Sequence, residues 1–172
     1  MMKEQKIKVV KENITLLKVD AIVNAANSTL MGGGGVDGAI HAAAGPELLE
    51  ECKELNGCDT GEAKITKAYQ LPARYVIHTV GPIYYSNRPN KPQLLANCYR
   101  NVMRIASENG AESIAFPSIS TGIYGYPLNE AAPVAVYQVK QALKLYPTIT
   151  EVTFVCFDDR TFRTYKQLLE EK

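Results

Sequence analysis

The chain has 172 residues, 46% of them hydrophobic and 22% charged, the size of one globular domain with a sizeable core, read here as a single domain over 1–172. Its 19 Lys and Arg against 18 Asp and Glu leave a net charge of +1 with no basic run, which argues against wholesale nucleic-acid binding. No stretch approaches the roughly 18 consecutive apolar residues of a membrane helix, and the start MMKEQKIK runs into strand-like sequence rather than a signal-peptide core. A cytoplasmic protein is expected.

Taken in chain order, the first predicted strand is Ile7 to Lys11, and the second, Ala21 to Asn27, is a continuous apolar run at its start. The glycine run Gly32 to Gly35 then leads into helical patterns over Val36 to Ala44 and, with proline at a helix start, Pro46 to Leu55. Strands over Lys64 to Tyr69 and Tyr75 to Val80 precede a helix from Lys91 to Asn109 closed by Gly110. The strand Ser113 to Ile119 is followed by a helix from Glu130 to Tyr146 stopped by Pro147, then by the strand Glu151 to Phe157 and the helix Arg160 to Glu171. Six short strands alternating with helices, several strands apolar on both faces, imply a three-layer α/β/α domain with a mixed, largely parallel sheet.

Cys52, Cys58, Cys98 and Cys156 form no C-x-x-C pair and have no histidine at metal-ligand spacing, so they read as reduced thiols. With His41 and His78 the only histidines, no metal and no cofactor are expected.

In sheets of this kind ligands gather at the carboxyl ends of the strands. Two loops stand out there, Ser28 to Val36 and Ser118 to Tyr126 (SISTGIYGY), both rich in glycine and small hydroxyl residues that offer backbone donors to a diphosphate. Asp37, two residues past the glycines, is out of place in a simple anion cradle, because a carboxylate repels bound phosphate. Gly33, Gly35 and Gly38 formally satisfy G-x-G-x-x-G, but four successive glycines satisfy many spacings, and the acid due about 20 residues later would be Asp59, in a polar turn. No Gly-Lys-Ser/Thr follows, which removes the P-loop reading.

VDAIVNAANSTLMGGGGVDGAIHAAAG, TGEAKITKAYQLPARYVIHTVGP and IAFPSISTGIYGYP together resemble the macrodomain family, specifically the MacroD-type hydrolases that include bacterial O-acetyl-ADP-ribose deacetylases. The likeness runs over nearly the whole chain. It implies a macrodomain fold, an ADP-ribose pocket across the strand ends, and hydrolysis of esters on the distal ribose, with O-acetyl-ADP-ribose and proteins mono-ADP-ribosylated on Asp or Glu as substrates.

By that resemblance Asn27 holds the distal ribose, while its residues alone fit a loop-capping asparagine equally well. Asp37 matches the catalytic aspartate, and as an isolated acid at a helix start it reads as a cap or first-turn residue. His41, one turn on, is taken as an auxiliary to it, and Asn24 as a residue that ties neighbouring backbone together. The resemblance also implies ligand contacts from Ile14, Gly34, Gly35 and Val36, and from Ser120, Thr121, Gly122, Ile123 and Gly125 around the phosphates. Tyr124 would pack on the distal ribose, although a turn tyrosine covering core is the plain alternative, and Phe157 would stack on adenine where a strand-end phenylalanine is ordinarily core. One position departs from the family: its usual Gly-Asp-Ile-Thr is here Glu12-Asn13-Ile14-Thr15, so Asn13 meets adenine with an uncharged acceptor.

The favoured function is therefore an ADP-ribosyl ester hydrolase acting as a monomer, with a non-catalytic ADP-ribose reader as the alternative. An RNA-associated protein finds little support, since no aromatic and basic stripe is present.

Overall fold

The computed structural model describes residues 4–170, so Glu171, the expected end of the last helix, lies outside the described residues. Six strands form one sheet: β1 (Lys6–Lys11), β2 (Ala21–Ala25), β3 (Ala63–Lys67), β4 (Tyr75–Thr79), β5 (Ser113–Phe116) and β6 (Glu151–Cys156). Their order across the sheet is β1-β6-β5-β2-β4-β3, with every neighbouring pair parallel except the antiparallel β3 and β4. The helices are α1 (Gly35–Ala44), α2 (Pro46–Glu54), α3 (Lys91–Glu108), α4 (Leu128–Leu145) and α5 (Asp159–Glu170).

Alternation along the strands sorts the side chains into two cores. Ala21, Val23, Ile77, Ile114, Phe116 and Phe154 join the core beneath α3, α4 and α5, whereas Ile22, Val76, Ala115 and Val155 join the one beneath α1 and α2. The three layers expected from the sequence are present. The strands β2 to β6 stop short of or differ by a residue or more from the predicted bounds, most clearly β2, which ends at Ala25 rather than Asn27, and β5, which ends at Phe116 rather than Ile119. In both, the hydrophobic run carries on past the last ladder hydrogen bond into a loop that packs inward: Ala26, Leu30 and Ile119 are buried without being strand. A short 3-10 helix, Ile14–Leu16, follows β1 where the sequence pattern predicts no element.

The neighbours β2 and β5 set up the site. The chain leaves β2 for α1, on one side of the sheet, and leaves β5 for α4, on the other. Adjacent parallel strands whose connections part to opposite faces open a crevice at their carboxyl ends, the topological switch point of open α/β sheets.

Candidate active site between the two strand-end loops

The loop after β2, residues 26–34, and the loop after β5, residues 117–127, face one another across this crevice. The space that a Cβ would fill at Gly34 lies 3.8 Å from Ile123 Cδ1 on the opposite loop. Among the described residues no backbone N–H from Gly32 to Val36, and none from Thr121 to Tyr124, donates to a protein acceptor. Helix α1 begins at the glycine loop with no side-chain cap, so its first-turn N–H groups add to the donors there. Two rows of unfilled donors flanking one crevice make a cradle for an anion.

Close packing holds the cradle in shape. A Cβ at Gly38 would stand 2.5 Å from the Gly33 carbonyl oxygen, so α1 presses on the loop as only a glycine permits. Behind the second loop, Tyr84 N–H donates to the Tyr124 carbonyl at 2.9 Å, and a side chain at Gly125, whose φ is +70°, would run into the Tyr85 ring. Ser120 is buried in the left-handed region at φ +69° with its hydroxyl unpartnered among the described residues, and a Cβ on Gly81 would overlap that hydroxyl. A non-glycine residue held there is conformational strain stored at the loop. Thr121 turns its hydroxyl back onto the Ser118 carbonyl and Ser118 Oγ, 3.1 and 2.8 Å away.

Asp37 sits in the first turn of α1 with only 4% of its surface exposed, and it caps nothing. Its Oδ1 accepts from Asn24 Nδ2 at 2.9 Å, while its Oδ2 is the oxygen nearest the glycine loop, 3.2 Å from where a Gly33 Cβ would be. His41 brings Nε2 to 3.4 Å from Asp37 Oδ1, as one helical turn allows, but without the alignment of a hydrogen bond. Tyr124 on the far loop is close enough to feel the acid: burial first, and the Asp37 carboxylate second, push its phenol upward. The structure thus gathers Asp37, His41 and Tyr124 with both loops.

Asn27 behaves as a loop cap in full. Its Oδ1 accepts from Thr29 N–H, Thr29 Oγ1 and Leu30 N–H, and its Nδ2 donates to the Gly32 carbonyl at 2.9 Å. The same Nδ2 is 3.3 Å from the Cβ position of Gly33, so the carboxamide also borders the crevice. Asn24 differs from expectation: instead of tying backbone it lies wholly buried between Asp37 Oδ1 and His78 Nδ1, the latter 3.1 Å from its Nδ2. His78 went unassigned in the sequence, where the only signal was a polar residue at an inward position of an apolar strand.

The far end of the row of strand ends holds Asn13 and Phe157, just past the last paired residues of β1 and β6, Lys11 and Cys156. Phe157 is 95% exposed, which removes its reading as core. Asn13 spends its oxygen locally, as N-cap of the 3-10 helix, accepting from Thr15 N–H at 3.0 Å and Thr15 Oγ1 at 2.7 Å. That corrects the expectation of a free acceptor at this position, because the oxygen is taken and the NH2 group is what remains. Ile14 is buried against the α1 and α2 core.

All four cysteines are buried and free, and burial raises the thiols of Cys52, Cys58 and Cys98 to about 11 and that of Cys156 to about 12. Thiols so far from ionisation are poor nucleophiles. A hollow of about 200 Å³ between α4 and α5, lined by Asn129, Pro133, Thr164, Gln167 and Leu168, holds no ionisable side chain. The chemistry is at the switch point.

The macro domain family model matches residues 23–135, which contain both loops, α1 and the whole Asn24, Asp37 and His78 group. A macro domain-containing protein of Chlorobaculum tepidum is 57% identical over 163 residues, 95% of each chain. The ADP-ribose glycohydrolase MACROD2 of Xenopus laevis is 56% identical over 169 residues, which are 97% of this chain and 40% of that longer protein. The Trypanosoma brucei macrodomain solved in complex with ADP-ribose superimposes with a TM-score of 0.89 at 47% identity, covering 95% of this chain and 68% of the other. By its paired loops, its sheet order and these relationships, the chain belongs to the macro domain family.

Proposed function

We propose that this protein binds ADP-ribose derivatives across the β2 and β5 loops and hydrolyses ADP-ribosyl esters, releasing acetate from O-acetyl-ADP-ribose and ADP-ribose from Asp or Glu side chains of modified proteins. The observation that carries the reading is the placement of Asp37: a buried carboxylate, anchored through one oxygen and turned through the other toward the loop that would hold the diphosphate. Relatives named as ADP-ribose glycohydrolases and a neighbour solved with ADP-ribose support both the ligand and the reaction class.

In this scheme the unfilled N–H groups of both loops hold the diphosphate and place a water beside Asp37 Oδ2. Asp37 takes a proton from that water as it attacks, the ester C–O bond breaks, and the products are a carboxylic acid and ADP-ribose, whichever side of the ester oxygen is cleaved. The near-buried position keeps bulk water from competing for the carboxylate. Asn27 would border the distal ribose, with Tyr124 opposite it.

The test compares wild type with Asp37→Ala on O-acetyl-ADP-ribose and on a Glu-linked ADP-ribosylated protein, with ADP-ribose affinity followed by calorimetry. The expected loss in kcat is roughly 10²- to 10⁴-fold, the usual scale of a removed general base, with affinity little changed. Equal turnover by both proteins removes the role of Asp37, and binding with no turnover even in wild type makes the protein a reader.

A further inference from the structure

Three neighbouring strands place polar side chains close together on the face beneath α1 and α2, among Ile22, Val76 and Ala115: Asn24 on β2, His78 on β4 and Thr66 on β3. Each is fully or almost fully buried, and burying such groups is costly unless they are paired. They are paired with one another in a line. Asn24 and His78 are register partners in the parallel β2 and β4 ladder, so their side chains must meet. Asn24 Nδ2 lies 2.9 Å from Asp37 Oδ1 and 3.1 Å from His78 Nδ1, and His78 Nε2 lies 2.9 Å from Thr66 Oγ1.

We propose that His78 and Asn24 are positioning residues for Asp37, with neutral His78 locking the Asn24 carboxamide so that its NH2 group faces the carboxylate. This rests on the reading of Asp37 as the group that activates water. The chemistry of the line allows one arrangement. A carboxylate oxygen needs a donor, so the Asn24 atom facing Asp37 is nitrogen; the second hydrogen of that nitrogen points at His78 Nδ1, which must therefore offer its lone pair. The ring proton is then on Nε2 and is donated to Thr66 Oγ1. Turned by 180°, Asn24 would set its oxygen against the carboxylate, and that turn is favoured only if His78 carries a proton on Nδ1.

Asn24 Oδ1 has no partner among the described residues. The carboxamide thus keeps an orientation that leaves its oxygen unpaired, because both its N–H groups are in use. The consequence reaches the site: Oδ1 of Asp37 is fixed by the Asn24 bond, and Oδ2 is the oxygen left for water. The ionisable groups facing His78 are His41 on α1, 6.4 Å between ring centres, and Cys52 on α2, whose Sγ is 3.9 Å from Nε2. Burial, and the nearby His41, lower the imidazolium pKa of His78 to about 3, which keeps the ring in the neutral form that the lock needs.

The test has one readout on the unaltered protein and one on variants. In nitrogen-15 NMR of the imidazole rings of wild type, His78 is expected to show an unprotonated Nδ1 and a protonated Nε2 with no change between pH 5 and 8; a protonated Nδ1 overturns the lock whether or not any variant folds. His78→Phe, which keeps a ring but no acceptor, is expected to lose at least tenfold in kcat on O-acetyl-ADP-ribose with KM and ADP-ribose affinity within about threefold. His78→Asn, whose oxygen stands near the place of Nδ1, is expected to recover most of that rate. Equal rates for the Phe and Asn variants overturn the positioning role, as does full activity of His78→Phe when Asp37→Ala is inactive. If Asp37→Ala retains wild-type turnover, the reading of the acid itself fails instead, and the NMR result still decides the lock.

Discussion

On the face of the sheet covered by α3, α4 and α5, aromatic rings from strands and helices dominate: Tyr99 of α3, Phe116 of β5, Phe154 of β6 and Tyr165 of α5 form a chain with successive centres 5.1, 6.0 and 4.7 Å apart, and buried Thr79 of β4 turns its hydroxyl to the Glu62 carbonyl. On the face beneath α1 and α2, the same sheet places Asn24, His78 and Thr66 among Ile22, Val76 and Ala115. The first face gives a dense core whose replacement costs stability. The second accepts the cost of buried polar groups and receives in return a fixed orientation for one carboxylate at the mouth of the crevice. Polar residues placed inward on adjacent strands of one face are thus an indication of where a sheet does chemistry.

Substitutions that act on one face alone test that division, and the largest effect belongs to the ring chain. Phe154→Ala removes a fully buried ring and is expected to cost about 3–5 kcal/mol in urea denaturation, while kcat on O-acetyl-ADP-ribose, measured well below the melting temperature, stays within twofold. A large fall in kcat with little loss of stability would contradict the separation of the two faces.

Acid should act on the other face. His78 titrates near its ordinary value when the chain is unfolded and only at about 3 when folded, so between pH 6.5 and 3 the unfolded state binds a proton that the folded state does not. Stability contributed by keeping this ring neutral is therefore present above pH 6.5 and is lost as the pH falls, approaching about 1 kcal/mol per unit and on the order of 2 kcal/mol between pH 6.5 and 4.5. His78→Asn should flatten the urea midpoint against pH in that window relative to wild type. An unchanged slope would show that His78 is not the group that responds.

The architecture and the two loops were legible in the sequence, and motif likeness pointed to Asp37, His41 and Tyr124, which lie near one another; the buried line behind Asp37 was not legible. Hydrophobic periodicity and the glycine, proline and hydroxyl signals report local preference, and β2, β5 and their loops are local. That Asn24 meets His78 depends on a register between strands more than 50 residues apart in sequence, which no local pattern carries. Phe157 and Asn13 show a further limit of local pattern. A phenylalanine ending an apolar strand looks like core until the sheet edge leaves it uncovered, and an asparagine before Ile14 looks available until a one-turn helix takes its oxygen.

The contact between α1 and the glycine loop joins the fold to the site, so a small change there should be felt on both counts. Gly38→Ala puts a methyl 2.5 Å from the Gly33 carbonyl oxygen, and backbone, not a side-chain tip, must yield. The expected cost is about 1–3 kcal/mol of stability, together with at least a tenfold fall in ADP-ribose affinity by calorimetry, because the loop donors move with Gly33. Unchanged affinity would show that the cradle does not depend on how closely α1 is seated.

The smallest effect is expected at the outer end of the crevice, where the side chain is on the surface and the chemistry turns on a single atom. Asn13 Oδ1 is bound to Thr15 N–H and Oγ1, so the group left free on this side chain, which follows β1 as the exposed Phe157 follows neighbouring β6, is a donor. A 6-aminopurine resting on Phe157 would present its own amino donor there, and donor against donor forms no bond. Asn13→Asp keeps the cap through one oxygen and turns the second outward as a charged acceptor, which is expected to tighten ADP-ribose binding by about fivefold, or ~1 kcal/mol. The same change should weaken inosine diphosphate ribose, whose 6-oxo group accepts from the amide and is repelled by the carboxylate. Calorimetry with both ligands on both proteins measures the crossover. If the two affinities move together, Asn13 acts only as a helix cap and the base edge is read elsewhere.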